Sequence, residues 1–498
     1  MRTKKWLICW TVIVVSAFIV AALCVYYVDP YFHYHKPYSN LFFYYLDREK
    51  QRSQNDGISK HFEYDAMITG TSMTDNFCTS EMDELFKCHS VKLPYSGGSY
   101  REINNNLTRA FKANPNLKTV VRCLDMDYIL DSADYMKPRG TFLGDAWETI
   151  FPTYLYDSNP FNDAEYLLNW NLISQSIEMI ASGYITSGGI SGITSFDEYS
   201  SWQNEVGFGK NEICPDVIRV EMPEEFVHLT EEEKKTIEKN ITRNVTDIAD
   251  EHPDVVFYYY YSPYSILRWL DYYSEGSIYK CLEAKKEATE LILSHENIRL
   301  FSFNTRFDII TDLNNYPDVY HYAGWVNSLI LKWIHDGEYQ LTKDNYEEYY
   351  REEYDYYLSF DYASLNDQED YEADYYAAAL LNRELTGAEP LDLINSGLIE
   401  KTEEGGTIKV DLNDGHNYLM YSVSKGSKDM PAVYVYDEAG NLVGREGNNS
   451  NTADGNIQMH VVDLSGVKGI VTVIFNGSFD KNMVNGNMED VFYDVFLY

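Results

Sequence analysis

The pattern of apolar and polar positions divides the chain into three regimes. Trp6 to Val28 is a continuous apolar run of 23 residues in which only Thr11 and Ser16 are polar. Between residues 64 and about 340, short apolar stretches alternate with segments of helical spacing. From about residue 402 the period falls to two, in short stretches such as "TIKVDL", "AVYVYDEAGNLVG" and "GIVTVIFNG" separated by turn residues.

In the middle regime the expected strands are Tyr64–Thr69, Ser90–Leu93, Thr119–Leu124, Val255–Tyr261 and Ile298–Phe303. Arg101–Ala113 has helical spacing through Ile103, Leu107, Ala110 and Phe111 and stops at Asn114-Pro115. Thr230–Glu251 reads as a charged amphipathic helix opened by a capping box of Thr230 and Glu233. Ile266–His295 holds one long helix or two, and Gly324–Ile334 a last one. Apolar strands alternating with helices predict a three-layer α/β/α domain around a parallel five-stranded sheet, residues 59–340. Residues 128–230 break the rhythm. They hold a helical pattern near Ala164–Ala181 and a Gly/Ser/Ile stretch, expected as an insertion on the strand-end side, a lid.

Residues 29–58 read as a membrane-proximal stalk, and 341–400, rich in tyrosine and acids, as a connector. That connector is either a solvated segment or an aromatic platform for sugar rings. The alternating strands of 401–498 predict a small β-sandwich module, with "DEAGN" as a hairpin turn.

The N-terminal run spans about 34 Å as a helix at ~1.5 Å per residue, enough for a bilayer core. Arg2, Lys4 and Lys5 precede it, and Asp29-Pro30 follow. The positive-inside rule places residues 1–5 in the cytoplasm, 6–28 in the membrane and the rest outside, a single-pass cell-membrane protein. A cleaved signal would carry an apolar stretch of only ~7–15 residues. Leu23 before Cys24 also fits a lipoprotein cut poorly.

The formal net charge of −38 argues against nucleic acid as a partner, because phosphates would be repelled. Cys9 and Cys24 lie in the apolar run. Cys78, Cys88, Cys123, Cys214 and Cys281 are irregularly spaced, and free thiols are expected over a disulfide framework, with Cys78–Cys88 the one candidate bridge. No phosphate-binding loop, dinucleotide-type glycine pattern or metal-ligand cluster is present in the sequence, so no cofactor is expected. His33, His35 and His61 are expected as surface or structural residues.

Active sites of open α/β sheets lie beyond the carboxyl ends of the strands. Here those ends carry Gly70-Thr71-Ser72, Ser96-Gly97-Gly98, Asp125-Met126-Asp127, Ser262-Pro263 and Asn304-Thr305. A nucleophilic serine needs a base, and the base needs an orienting group. His321 follows the fifth strand, with Asp318 three residues before it. Such a loop can turn the carboxylate onto one imidazole nitrogen and leave the other for Ser72. The oxyanion would be met by backbone N–H groups of Ser72 or Met73 and of Gly97 or Gly98. Thr71, Asp127, Tyr264 and Asn304 are pocket-lining candidates.

These blocks, "ITGTSMT", "SGGS" and "DVYH", resemble those of the SGNH (GDSL-like) hydrolase superfamily over residues 60–340. The resemblance implies a flavodoxin-like sheet, Ser72 as nucleophile, His321 as base and Asp318 as its partner. The superfamily's Gly-x-Asn-Asp block, whose asparagine donates to the oxyanion, is replaced here by "LDMDY", with Asp125 and Asp127 in the region. An ionised carboxylate cannot donate a hydrogen bond. Gly-Thr-Ser in place of Gly-Asp-Ser, together with the anchor, resembles membrane-anchored bacterial relatives such as alginate acetyltransferases and the protein that handles D-alanyl esters on teichoic acids. Those relatives imply an extracytoplasmic esterase or O-acyltransferase acting on O-acyl groups of a cell-surface polysaccharide, with a membrane-bound O-acyltransferase as partner. The competing expectation is a catalytically inactive surface protein that binds glycan through the pocket, the connector and the β-module.

Overall fold

A computed structural model describes residues 2–136, 151–185, 191–202, 206–368, 391–402, 405–414, 416, 418–424, 432–445, 457–464, 467–479 and 491–497. The chain forms two compact units. The first comprises Met1–Val206, Ile218–Thr311 and Val319–Asn366, and the second Gly207–Val217, Asp312–Asp318 and Asp367–Tyr498.

The first unit begins with helix α1, Arg2–Val28, of which Lys4–Val28 is long and apolar enough to cross a membrane. The segment expected as a stalk is instead folded. Asp29 adopts φ +54° as α1 ends, and its buried carboxylate accepts the N–H groups of His33, Tyr34 and His35 at 2.8–3.0 Å and the Tyr166 hydroxyl at 2.8 Å. The Tyr44 hydroxyl donates to the Val28 carbonyl at 2.7 Å. Helix α2, Gln51–His61, follows with a buried face of polar residues, including Gln51, Arg52, Asn55 and Asp56. A hydrophobicity count cannot see such a helix, because hydrogen bonds and ion pairs satisfy its buried groups. Arg52 pairs with fully buried Glu102 at 2.9 Å, and Asn55 donates to the Pro94 carbonyl at 2.6 Å.

The central sheet is built from β1 (Ala66–Gly70), β2 (Ser90–Pro94), β3 (Thr119–Cys123), β4 (Val256–Tyr261), β5 (Ile298–Ser302) and β6 (Gln340–Leu341). Its order is β2-β1-β3-β4-β5-β6. The first five strands are parallel, and β6 pairs antiparallel with β5. The sheet is thus six-stranded and mixed, not the expected five-stranded parallel one. A two-residue edge strand carries too little pattern to be read from sequence. Every residue of β1 and β2 is buried, as strands covered on both faces require, Lys92, Thr69 and Ser90 included. Met67 and Ile68 are fully buried, each contributing about 1.5–3 kcal/mol.

Helices α3 (Thr79–Phe86) and α4 (Tyr100–Ala113) connect the early strands, with Ser99 capping α4 through the Glu102 N–H. The insertion contributes α5, Trp170–Ile185, which packs along α1. Residues 137–150, 186–190 and 203–205 of the insertion lie outside the described residues. Helix α6, Glu231–Ile241, opens with the expected capping box and passes through a π-turn, Thr242–Thr246, before Asp247–Glu251. Arg122, fully buried on β3, donates to the Asn244 carbonyl of this turn at 2.8 Å and lies against the rings of Tyr100 and Tyr259. The 266–295 pattern resolves into α7 (Ile266–Ser274) and α8 (Ile278–Ile292), and α9 spans Gly324–Asp336.

Part of the expected connector is also folded. Tyr346–Ser359 forms α10, with Tyr350, Glu353 and Tyr357 buried. Glu353 pairs with Lys285 in full burial, and Tyr357 stacks on Trp269 with ring centroids 3.9 Å apart. Tyr350 and Tyr357 are core residues, so this part is not a wholly solvated segment, while on its outer side Tyr356 and Phe307 line an open cavity with Glu348, Arg351 and Glu352. Residues 369–390 lie outside the described residues.

In the second unit two antiparallel sheets share one apolar core through Val410, Leu419, Val433, Val473, Phe475 and Phe492. One sheet holds strands 400–401, 405–411, 470–476, 433–436 and 442–445, and the other 457–463, 418–424, 491–497 and 391–392. The Asp437–Asn441 hairpin closes with Gly440 at φ +81°. All seven cysteines are free thiols.

Candidate active site

β1 ends at Gly70 with φ +156°, and a Cβ there would lie 2.7 Å from atoms of both Cys123 and Thr74. Only glycine lets the chain turn this closely against β3. The turn leads into a short 3₁₀ helix, Ser72–Thr74, with Thr71 as its cap. The Thr71 hydroxyl donates to Asp125 Oδ2 at 2.9 Å, and the Asp125 carbonyl accepts the Tyr100 hydroxyl at 2.9 Å. Asn327 of α9 donates to the Met73 carbonyl at 2.9 Å. The serine is therefore held from three sides at the carboxyl end of the sheet.

Ser72 Oγ lies 2.7 Å from His321 Nε2, although 249 residues separate them in sequence. Both side chains are partly exposed. A hydroxyl at hydrogen-bond distance from an imidazole nitrogen can lose its proton to that nitrogen as it attacks an electrophile. Asp318 is half-buried in the loop preceding α9, three residues before His321, at the end of a short segment of the second unit.

The glycine block forms a tight turn with Gly97 at φ +60°. The Gly98 N–H donates to the Tyr95 carbonyl at 2.6 Å. That bond commits the Gly98 N–H to the turn, so Gly98 is removed from the expected oxyanion donors and Gly97 is retained. Ser72 opens its helix, where first-turn N–H groups have no partner within the helix.

The two aspartates of "LDMDY" part company. Asp125 is buried beneath Thr71, and burial pushes its carboxyl up to about 7. Asp127 is exposed and meets Arg268 at 3.1 Å and the Tyr272 hydroxyl. Tyr264 is fully buried, edge-on to Tyr320, and Asn304 is fully buried, donating to the Ser262 carbonyl and accepting from Lys285 at 2.8 Å each. Asp127, Tyr264 and Asn304 are thus packing and pairing residues, whereas Thr71 holds the nucleophile's turn.

Several contributors carry no sequence motif. Trp202, from the insertion, lies edge-on to the His321 ring with centroids 5.3 Å apart. Its backbone N–H and the Ser201 hydroxyl both donate to Asn76 Oδ1, at 3.0 and 3.3 Å, tying the insertion to the segment just after Ser72. Asp75 is buried, accepting from Gln51 Nε2 at 3.0 Å and Ser96 Oγ at 3.2 Å. Lys92 of β2, fully buried, donates to the carbonyls of Asp75, Phe77 and Asp197 at 2.5, 2.8 and 3.3 Å. Burial pushes the Asp75 carboxyl up and the Lys92 ammonium down, and each favours the other's charge. Gln51 also donates to Ser200 Oγ at 3.1 Å. Beyond Ser200 opens a polar cavity of about 370 Å³ lined by Arg48, Glu49, Glu198 and Ser201, among others. A polar residue in a turn or helix can be recognised as functional only once the fold shows what it faces.

Among the described residues no cluster of histidine, cysteine or carboxylate side chains could hold a metal ion. No family model, no curated protein and no solved structure matches this chain.

Proposed function

We propose that this protein is a membrane-anchored, extracytoplasmic SGNH-type serine esterase or O-acyltransferase, in a three-layer α/β/α fold, that acts on O-acyl groups, acetyl above all, of a cell-surface polysaccharide. The observation that carries the reading is the 2.7 Å approach of Ser72 Oγ to His321 Nε2 beyond the carboxyl ends of the parallel strands of a mixed sheet. Ser72 attacks the acyl carbonyl while His321 takes its proton. The backbone N–H groups of Ser72 and Gly97 meet the developing oxyanion. The imidazolium then protonates the departing alkoxide, leaving an acyl group on Ser72. A glycan hydroxyl or water, deprotonated by His321, takes that acyl group and restores the serine. Asp318 is the carboxylate the sequence offers to orient the other imidazole nitrogen. The cavity beside Gln51, lined by Arg48, Glu49 and Glu198, offers donors and acceptors suited to a polyhydroxylated acceptor. The apolar N-terminal helix supports residence at a membrane, where a membrane-bound O-acyltransferase would supply acyl groups.

The test is labelling of the detergent-solubilised full-length protein with a fluorophosphonate, beside Ser72→Ala and His321→Ala. Labelling of the wild type alone is the expected result. Folded wild type that fails to label, in detergent and in bilayers alike, would overturn the enzyme reading in favour of an inactive glycan-binding protein.

A further inference from the structure

Helix α5 of the insertion lies against α1, and its character differs from that of every other helix joining the strands. Its sequence, WNLISQSIEMIASGYI, contains one charged residue, Glu178. Leu172 and Ser176, one turn apart, are buried, and Met179 and Ile180 continue that stripe half-buried. On α1 the covered positions are Val14, Ala21, Ala22, Cys24, Val25 and Val28, which gather on one side of the helix. Val25 joins Leu172, Tyr166 and Leu155 in one apolar cluster, so α5 starts level with the last turns of α1. The covered stripe of α1 from Val28 back to Val14 is about 21 Å long at ~1.5 Å per residue, close to the ~24 Å of α5. The small residues Ala21, Ala22 and Ser176 permit the close approach typical of helices packed in lipid.

The opposite side of α5 is uncovered, exposing Trp170 and Ile177 beside Asn171 and Glu178, and Phe161 is exposed ahead of the helix. Phe161 is 88% exposed, Trp170 76% and Ile177 55%. Trp170 and Ile177 are seven residues apart, on one face. Near its end α1 exposes Tyr26 and Tyr27, the aromatic residues expected where a spanning helix leaves the hydrocarbon. Helix α5 therefore presents exposed apolar side chains while packed along the helix that would cross the bilayer. Asp29 ties the end of α1 to Tyr166, four residues before α5 begins.

We propose that α5 inserts into the bilayer beside α1 as a second, non-spanning membrane element, with Phe161 and Trp170 at the interface and Ile177 in the acyl chains. The occupant of the exposed face is lipid. Glu178, two turns into the helix, limits the depth, since a carboxylate is costly at the bilayer centre. Two elements joined by the Asp29 clamp fix the tilt and height of the first unit, which a single helix on a flexible stalk would not.

The test reconstitutes the full-length protein into phosphatidylcholine vesicles containing a lipid with a diazirine midway along one acyl chain. After illumination, cross-linked peptides are mapped by mass spectrometry. Adducts on α1 and on residues 161–185, with none on strand 433–436, are expected. Ile177→Lys should lose the α5 adducts and keep those on α1. Adducts confined to α1 would overturn the proposal, as would protein–protein cross-links between two copies through α5. Because the readout does not involve Ser72, it stands apart from any failure of the enzymatic reading.

Discussion

Replacing Lys92 with methionine tests whether the cage behind the nucleophile is held by one buried ammonium. Lys92 makes none of its contacts through Ser72 or His321. It fastens the carbonyls of Asp75 and Phe77, just after the nucleophile's turn, and that of Asp197, in the insertion that carries Trp202. Methionine fills the same volume but donates nothing. Each buried carbonyl left without a donor costs about 1–3 kcal/mol. The two short bonds would therefore cost roughly 2–6 kcal/mol, and the long one to Asp197 little. Against this stands relief from burying an ammonium, which is considerable where one of a coupled buried pair is neutralised. Asp75 loses its counter-charge at the same time and moves toward its protonated form, which lessens the remaining penalty. A net loss of about 3 kcal/mol is expected. Urea denaturation of the solubilised full-length protein, followed by tryptophan fluorescence and by retention of fluorophosphonate labelling, reads both consequences. Labelling competence should be lost at lower urea than in the wild type. A loss below about 1 kcal/mol with unchanged labelling would refute the reasoning, since three carbonyls would then have been deprived of their donor without cost.

Other outcomes follow from neighbouring groups. Glu81 is pushed up to about 7 by burial; it accepts from Ser328 Oγ at 2.8 Å, while its second oxygen is buried with no partner among the described residues. The folded state therefore holds an extra proton between the ordinary carboxyl value of 4.5 and about 7, and stability should fall as pH rises through that window. Glu81→Gln should remove this slope and stabilise the protein at pH 8 by about 3 kcal/mol, as read by denaturation at several pH values; an unchanged slope would place the titration elsewhere. Asp125→Ala should leave the Thr71 hydroxyl without its acceptor and cost about 1–3 kcal/mol, whereas Asp125→Asn, which can still accept that bond, should cost less; equal losses would contradict the pairing. Trp202→Ala should slow fluorophosphonate labelling of the folded protein by about two- to tenfold, because an aromatic edge contact is worth about 0.5–1.5 kcal/mol in holding the imidazole, and should cost about 3–5 kcal/mol of stability because the tryptophan is buried. A labelling rate equal to the wild type would remove Trp202 from the site.

Local and repetitive features follow from the order of residues alone. The apolar run, the strands of the parallel sheet, the Thr230 capping box and the alternating strands of the second unit are legible because period and turn chemistry act over a few residues. The pairing of Ser72 with His321 was legible for a related reason: each follows a strand, and parallel strands bring their carboxyl ends to one edge. The tertiary structure decided what depends on partners distant in sequence. Residues 29–58 read as a stalk because α2 buries amides and charges, whose compensating groups lie in Glu102 and Pro94. Tyr350 and Tyr357 read as solvated because their core partners, Thr289 and Trp269, come from other helices. Gly98 left the expected oxyanion set because a turn bond claimed its N–H, and Tyr264 and Asn304 left the pocket because the sheet buried them. Trp202, Asp75 and Lys92 entered because the fold aimed them at the nucleophile's turn. Periodicity assigns a side chain to a face; only the packed chain decides what that face meets, and so whether its polar groups are satisfied, buried or free to act.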